Sequence, residues 1–507
     1  MSLRDLLLAV PALITGCVLS LGTVALASGA APAVPSKDGE LLPECVVPPV
    51  RESEALPGGS ATSPHPADRN AFSHSSANLP FDREFDFKIG NGVFRKQWVS
   101  APSSTKASDG LGPLYNARAC QNCHLKDGRG RPPVTDNADD RAVSMLLKLA
   151  IPPRDEAERA KLASGTLSMI PDPTYGAQLQ EFAVQGMEGE GRLSLSYEDL
   201  APITLPGGET VSLRKPHYEI SKLKYGAPAD GLTTSPRVAP QMIGLGLIEA
   251  IPDSEIIAGP ELPAARADGI VGKPNRVWSA ANGRVMLGRF GWKAGQPTIA
   301  DQAAVAFAGD MGLSTKLISA HSGDCTQAQP ECLSAPNGVT RKLGKAEVAD
   351  SMFDLVVYYS RNLAVPRMRD TAGPEIKQGR ELFYRSGCAA CHRPSFTTGT
   401  GPDIQPELAG QTIWPYTDLL LHDMGPELAD GFTEGAANGR EWRTAPLWGI
   451  GLTETVAGHS TFLHDGRARN ILEAILWHGG EAEIAKQRVM RLSPEERASL
   501  LAFVNSL

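Results

Sequence analysis

Apolar side chains recur three or four residues apart in two segments of the second half of the chain, residues 346–363 and 374–387. This spacing places them on one face of a helix, so each segment is predicted to form an amphipathic helix. A third helix is predicted after Ser493, because a serine N-cap with Glu496 three residues later is a typical helix start. The apolar faces contain Val348, Met352, Leu355, Val356 and Tyr359 in the first segment, and Ile376, Leu382 and Phe383 in the second.

The longest apolar run lies at the start of the chain. Arg4 precedes a mostly apolar stretch over residues 6–26, followed by small residues, which predicts an export signal over residues 1–30 and a periplasmic protein. The tetrapeptide that ends at Cys17 also resembles a lipoprotein signal, so a lipid anchor at Cys17 is an alternative. No later segment is long and apolar enough to span a bilayer.

Changes in composition divide the rest of the chain. Residues 31–70 are rich in Pro, Ser, Gly and Ala and are predicted to form a flexible leader. A folded N-terminal domain is predicted over residues 71–363, with a small β-hairpin around residues 206–208. A linker at residues 364–373 then leads to a C-terminal domain over residues 374–507.

Length and charge exclude some classes of protein. A chain of 507 residues exceeds one ordinary hydrophobic core and suggests two or three domains. A net charge of −8 gives no reason to expect nucleic-acid binding. Of the eight cysteines, Cys325 and Cys332 are close enough in sequence for a local disulfide in an exported protein, whereas Cys45 has no evident partner.

The pattern Cys-x-x-Cys-His occurs twice, at residues 120–124 and 388–392. This is the attachment pattern of c-type haem, in which both thiols bond to the haem and the histidine binds the iron. Zinc would need further ligands nearby, and the next His and Cys after the first motif are His217 and Cys325. A redox dithiol has no need of the histidine. We therefore predict two covalently bound c-type haems. The predicted attachment and iron-binding residues are Cys120, Cys123 and His124 in the first motif, and Cys388, Cys391 and His392 in the second.

The motifs also predict the fold class. A helix before the motif and another at the end of the chain are the layout of a cytochrome c domain. We therefore expect a mainly α protein with two cytochrome-c-like haem domains. The first would carry a long elaboration that includes the small β-hairpin.

Three further segments, residues 288–312, 440–451 and 462–482, complete a resemblance to a known family. With the two motifs they resemble the di-haem oxidoreductases, which are related to bacterial di-haem cytochrome c peroxidases and to the di-haem enzyme that matures methylamine dehydrogenase. The resemblance covers most of residues 70–507. It implies a peroxidase-like enzyme that reduces peroxide at the first haem. Electrons would come through the second haem from a small periplasmic cytochrome c or a cupredoxin.

The same resemblance implies roles near the first haem. In the relatives a Trp between the haems precedes a Gln by ten residues, and Trp292 precedes Gln302 by that interval. Trp292 would carry electrons between the haems, although a large buried indole is also a common core residue. An acidic residue followed by Met acts over the open haem of the relatives. Asp310 with Met311 matches that pair, but lies two residues earlier and has a shorter side chain.

For the second haem, the relatives take an iron ligand from a helix after a His-Asp-Gly segment. Residues 464–466 match this segment, and His478 falls in the expected place, with Met424 and His422 as alternatives. The peroxidase relatives also imply Ca²⁺ near residues 233–241 and 443–449, although the matching Asn is not evident.

Two other classes of function stay open. A pure electron-transfer cytochrome would need a second ligand at the first haem, for which His321 is a candidate. An oxygen-dependent oxidoreductase acting on an organic substrate would need an apolar channel to that haem.

Overall fold

The helices predicted from apolar spacing are present in the computed structural model. Helix Asp350–Arg361 buries Val356 and Tyr359. Helix Pro374–Arg385 buries all three of its predicted apolar residues. Helix Pro494–Ser506 begins with the predicted capping box, in which the Ser493 side chain accepts a hydrogen bond from the Glu496 backbone N–H. The apolar face of a helix and its N-terminal cap are both set by residues close together in sequence. The local sequence pattern was therefore sufficient to predict these helices.

The structure describes residues 40–42, 47–135, 140, 143–258, 268–340, 342 and 344–507. The predicted export signal, the first part of the leader, Cys17 and Cys45 lie outside these residues. Within them, no helix has the length and apolar character required to cross a membrane.

The prediction of a mainly α protein with two cytochrome-c-like haem domains is wrong. Helices make up 30% of the structure and strands 16%, and the strands form many small sheets. The chain has 51 Gly and 40 Pro, which interrupt helices and favour turns. In the described ranges the α-helices are Phe81–Phe94, Cys120–Cys123, Glu156–Ala163, Leu245–Glu249, Asp253–Ile257, Ile299–Met311, Pro330–Leu333, Asp350–Arg361, Pro374–Arg385, Thr453–Ala457, Ile471–Leu476, Glu483–Met490 and Pro494–Ser506. The 3₁₀ helices are Glu52–Ala55, Gly59–Ala61, Leu125–Asp127, Cys388–Ala390, Pro406–Leu408, Pro426–Leu428, Ile450–Leu452 and Gly480–Ala482.

All sheets in the described ranges have two strands. The longest pairs Arg192–Asp199 with Arg214–Ser221, so the predicted small hairpin is the tip of a longer antiparallel ribbon. A second ribbon pairs Met145–Ala150 with Thr233–Val238, more than 80 residues away in sequence. The remaining pairs are Val99–Ser100 with Asp109–Leu111, Leu114–Tyr115 with Phe182–Ala183, Ile203–Thr204 with Thr210–Val211, Arg276–Ser279 with Arg284–Leu287, Phe396–Thr397 with Thr412–Ile413, and Leu421–Asp423 with Glu441–Arg443.

Two large apolar clusters form most of the core. The first includes Phe94, Phe307 and Phe353, from three different helices. The second includes Phe383 and Phe503, from the helices Pro374–Arg385 and Pro494–Ser506. The described residues from Glu40 onward nevertheless belong to one compact unit.

Residues 51–63, which composition assigned to a flexible leader, are packed against the rest of the chain. Glu54 is buried and forms an ion pair with Arg380 at 2.8 Å. The backbone N–H of Ser63 donates to the carbonyl of Val365, at the start of the predicted linker. These contacts hold this part of the leader against the rest of the chain, and the pairing with Arg380 compensates for the burial of the Glu54 carboxylate.

Candidate functional site

The first Cys-x-x-Cys-His motif forms a single helical turn, Cys120–Cys123, that ends at His124. Nδ1 of His124 donates a hydrogen bond to the Pro240 carbonyl at 2.8 Å, which leaves Nε2 available. Burial lowers the pKa of His124 to about 4, although the bond to Pro240 opposes this effect. A neutral imidazole with one nitrogen fixed by a carbonyl is the usual state of an iron-binding histidine.

The second motif has the same arrangement. Residues Cys388–Ala390 form a tight turn, and Nδ1 of His392 donates to the Tyr416 carbonyl at 2.9 Å. Burial lowers the pKa of His392 to about 4. The four motif cysteines form no disulfide, in contrast to Cys325 and Cys332, which are bonded to each other. Both motifs thus present two thiols and one available imidazole nitrogen, the donor set that a c-type haem needs.

The two motifs share one cavity of about 470 Å³, whose walls include His124 and His392. Its other walls are mostly apolar side chains from both core clusters. In the part of the chain that the structure describes, no group of three or more His, Cys, Asp and Glu residues could hold a metal ion. The zinc alternative therefore has no ligand set there, and the same finding gives Ca²⁺ no support. The residues present fit a haem at each motif.

His478, which the resemblance implies as a ligand of the second haem, lines the same cavity as the second motif. It follows the helix Ile471–Leu476 and lines the cavity. Its Nδ1 donates to the Ala474 carbonyl at 2.7 Å, which again leaves Nε2 available. His478 is close enough to His392 for its charge to contribute to the lowered pKa of that residue, after the larger effect of burial.

The two alternatives to His478 differ in their contacts. Both ring nitrogens of His422 are bound to carboxylates, those of Asp418 and Glu481, each at 2.8 Å. A histidine held in this way has no nitrogen left for iron. Met424 lines the cavity and is partly buried, so it remains the stronger alternative. His478 and Met424 therefore both stay candidates for the second iron.

Replacing His478 tests the choice. We expect His478→Ala to keep both haems attached but to change the second iron from low spin to high spin, because the variant removes the imidazole that would bind this iron. Electron paramagnetic resonance of the ferric protein measures this change. His217→Ala, at an exposed strand position, is the control and should leave the spectrum unchanged. An unchanged low-spin signal in His478→Ala would transfer the role to Met424.

Asp310 and Gln302 both line the cavity from the helix Ile299–Met311. They are eight residues apart with Ala306 midway between them, and positions four apart share a helix face. The Asp310 carboxylate accepts a hydrogen bond from the Gln178 side chain at 2.9 Å. Burial raises the pKa of Asp310, against opposing effects of the Lys148 charge and the Gln178 bond. A carboxyl of this kind can exchange a proton with a small molecule in the cavity.

Trp292 lies in the cavity wall with its indole N–H bonded to the Val238 carbonyl at 2.8 Å. It belongs to a small apolar cluster with Trp442, which stacks on His464 with ring centres 3.7 Å apart. Sequence reasoning assigned no role to Trp442. The sequence feature that could have pointed to Trp442 is its place in segment 440–451, one of the segments that carry the family resemblance.

Two other residues in or beside this site were also missed. Lys148 lines the cavity, and Gln178 holds Asp310. The available signal for Lys148 was its place as the single charged residue in the otherwise apolar strand Met145–Ala150. His321, proposed as a closing ligand for the first haem, is not part of the cavity wall and hydrogen-bonds with Ser314 at 3.0 Å.

Comparison with known proteins adds to this geometry. A family model described as "Di-haem oxidoreductase, putative peroxidase" matches residues 53–507. Among solved structures, the chain is similar to a hydrazine synthase from Kuenenia stuttgartiensis, pressurised with xenon, at 13% identity and a TM-score of 0.25. That similarity covers 71% of this chain and 90% of the other, but at this TM-score it supports no argument. None of the curated proteins compared matches the chain.

The family match includes both Cys-x-x-Cys-His motifs and continues to the last residue. Its description supports haem cofactors and an oxidoreductase function. The resemblance stated from the sequence is therefore confirmed, and the chain belongs to the di-haem oxidoreductase, putative peroxidase, family.

Proposed function

We propose that the protein is an exported di-haem c-type cytochrome that reduces peroxide at the first haem, with electrons delivered through the second. One observation carries the proposal: both Cys-x-x-Cys-His motifs open into one cavity that Asp310 and Trp292 also line. Each haem, when bound, supplies an iron that accepts and donates single electrons. The first haem would be held in the region 71–363 and the second in the region 374–507.

Each candidate residue would then have a defined role. His124 and His392 would bind the irons, since each has Nε2 available. The cysteines of each motif would attach the haem covalently. His478 would be the second ligand at the second haem, supported by its place in the same cavity. Gln302 would orient peroxide beside Asp310, because both line the cavity from one helix.

Asp310 would act as the acid-base group. It can take the proton from one oxygen of peroxide and return it to the other, so that water leaves instead of hydroxide. Expelling hydroxide into a mostly apolar cavity would be costly, since an isolated charge is poorly solvated there. The hydrogen bond from Gln178 fixes the direction of the carboxylate.

One covalent bond in the described chain supports an exported location. The disulfide between Cys325 and Cys332 supports export, because such bonds persist outside the cytoplasm. A periplasmic electron donor would be a small cytochrome c or a cupredoxin.

Turnover of the holoprotein tests this function. We expect hydrogen peroxide to drive oxidation of a reduced small cytochrome c or a reduced cupredoxin. Dioxygen in place of peroxide should give no such oxidation. If neither donor is oxidised by peroxide, while dioxygen is consumed with an organic substrate, the oxygen-dependent alternative would replace this proposal.

Replacing Trp292 tests the proposed route between the haems. Phe fills most of the same space but is harder to oxidise, so Trp292→Phe should fold normally and slow electron exchange between the haems. We expect a loss of about tenfold or more, the effect of about 1.4 kcal/mol of added barrier. Stopped-flow reduction measures the exchange. Trp278→Phe, at a side chain 43% exposed, is the control. Equal rates in Trp292→Phe and the parent would leave Trp292 as a core residue only.

A further inference from the structure

Lys148 places an ammonium group at the cavity that contains the first motif. In the strand Met145–Ala150, residues 145, 147 and 149 are buried, whereas Leu146 and Lys148 face the other way and line the cavity. The described part of the chain offers the Lys148 ammonium no hydrogen bond and no ion pair within 4.0 Å. Partial removal of an ammonium group from water costs free energy when no partner is in direct contact. We therefore expect the Lys148 charge to act on a group of opposite charge at the cavity.

The strand pairing brings Lys148 next to the residue that holds Asp310. Lys148 forms an antiparallel bridge with Gln178. Residues directly opposite each other on such strands have Cβ atoms about 4.5–5.5 Å apart. The Gln178 side chain in turn donates to the Asp310 carboxylate at 2.9 Å. Asp310 is also fixed through its backbone, because its carbonyl accepts from Asn116 at 2.8 Å and Ala117 at 3.0 Å.

We propose that Lys148 is a positioning residue for Asp310. The Lys148 ammonium keeps the Asp310 carboxylate ionised, so that this carboxylate can accept a proton in the cavity. The inference rests on the proposed role of Asp310 as the acid-base group. Lys148 would act through Asp310, without needing to touch peroxide.

The charges around Asp310 are consistent with this role. From the strand side, Lys148 is the cation that opposes the effect of burial on the pKa of Asp310. From the helix Cys120–Cys123, the titratable groups that interact with Asp310 are the two cysteine thiols, which carry no charge once bonded to haem. Gln178 contributes only a neutral amide.

The charge of Lys148 also acts on two other carboxylates, those of Glu434 and Asp324. Glu434 is neutralised by Arg237, which forms an ion pair with it at 2.6 Å. Burial raises the pKa of Asp324 to about 6, against opposing effects of two backbone bonds and Lys148. The Asp324 carboxylate accepts hydrogen bonds from the backbone N–H groups of Ala177 and Gln178. Among the described residues, the Asp310 carboxylate accepts a single hydrogen bond, from the Gln178 side chain.

Cyanide binding to the ferric holoprotein tests the inference without peroxide. Hydrogen cyanide must lose its proton when the anion binds iron, and Asp310 is the group placed to accept it. The association rate should therefore fall as the pH falls through the pKa of Asp310. In Lys148→Met that pKa should rise, so the fall should move to higher pH by about one unit or more. Lys148→Arg keeps the charge and should resemble the parent.

Further variants make the result decisive. Lys148→Gln should give the same shift as Lys148→Met, and serves if the Met variant does not fold. Asp310→Asn should remove the pH dependence altogether. An unmoved pH profile in Lys148→Met, an equal shift in Lys148→Arg, or a first haem that binds no cyanide would each overturn the inference. A protein that does not reduce peroxide but shows the Lys148-dependent shift would contradict the proposed function and leave this inference standing.

Discussion

Denatured, acid-extracted protein is expected to retain two haems per chain, and a variant that lacks both cysteines of one motif is expected to retain one. Acid and denaturant release a haem held only by its iron ligand, but not one bonded to two cysteine sulfurs. The four cysteines are suited to this bond, because they form no disulfide and lie in tight turns beside an available imidazole. Mass spectrometry of the extracted chain measures the haem content.

The two motifs should respond independently, since each has its own cysteine pair. The double variant Cys120→Ala with Cys123→Ala should keep the haem at residues 388–392, and the corresponding variant of the second motif should keep the haem at residues 120–124. The matched control replaces Cys325 and Cys332, which are bonded to each other, and should retain two haems. A native protein that carries zinc and no haem would contradict the whole assignment.

The two Cys-x-x-Cys-His motifs stand out in the sequence because their thiols and imidazole lie within five consecutive residues. The two thiols and the imidazole need only one turn of chain to come together, as at Cys120–Cys123. The partners of these groups could not be recognised in this way. His124 is fixed by Pro240, and Asp310 is held by Gln178, in both cases across more than 100 residues of sequence.

The fold shows the same division between local and distant information. The start of helix Pro494–Ser506 was predicted correctly because its cap lies within four residues. The fold class was not, because it depends on pairings such as Met145–Ala150 with Thr233–Val238. Neither segment alternates between apolar and polar residues, so the local pattern indicates neither the strands nor their pairing. The cytochrome c layout therefore suggested more helix than the chain contains.

Asp310 illustrates how structure changes the meaning of a sequence difference. It follows Gln302 by eight residues, two fewer than the corresponding acid in the relatives. In the helix Ile299–Met311, eight residues are little more than two turns, so Asp310 and Gln302 still line the same cavity. The shorter spacing therefore does not remove the carboxylate from the site.

Asp310→Asn is expected to slow the reaction of the protein with peroxide by roughly 10²- to 10⁴-fold, the usual contribution of a general acid-base group. Asn has nearly the same size and keeps a hydrogen-bonding amide, but it cannot accept the proton. Both haem spectra and the reduction potential of the second haem should change little. Stopped-flow mixing with hydrogen peroxide measures the rate, and Asp354→Asn, whose side chain is 62% exposed, is the control.

The pH dependence gives this prediction a second, independent readout. Because burial raises the pKa of Asp310, the parent rate should begin to fall at a higher pH than an exposed aspartate would give. Below that pKa the carboxyl is protonated and cannot accept the proton of peroxide, so the rate is lost as the pH falls. Asp310→Asn should show a low rate without this dependence. A variant as fast as the parent, or a parent that does not react with peroxide, would remove Asp310 from the mechanism and favour electron transfer or an oxygen-dependent reaction.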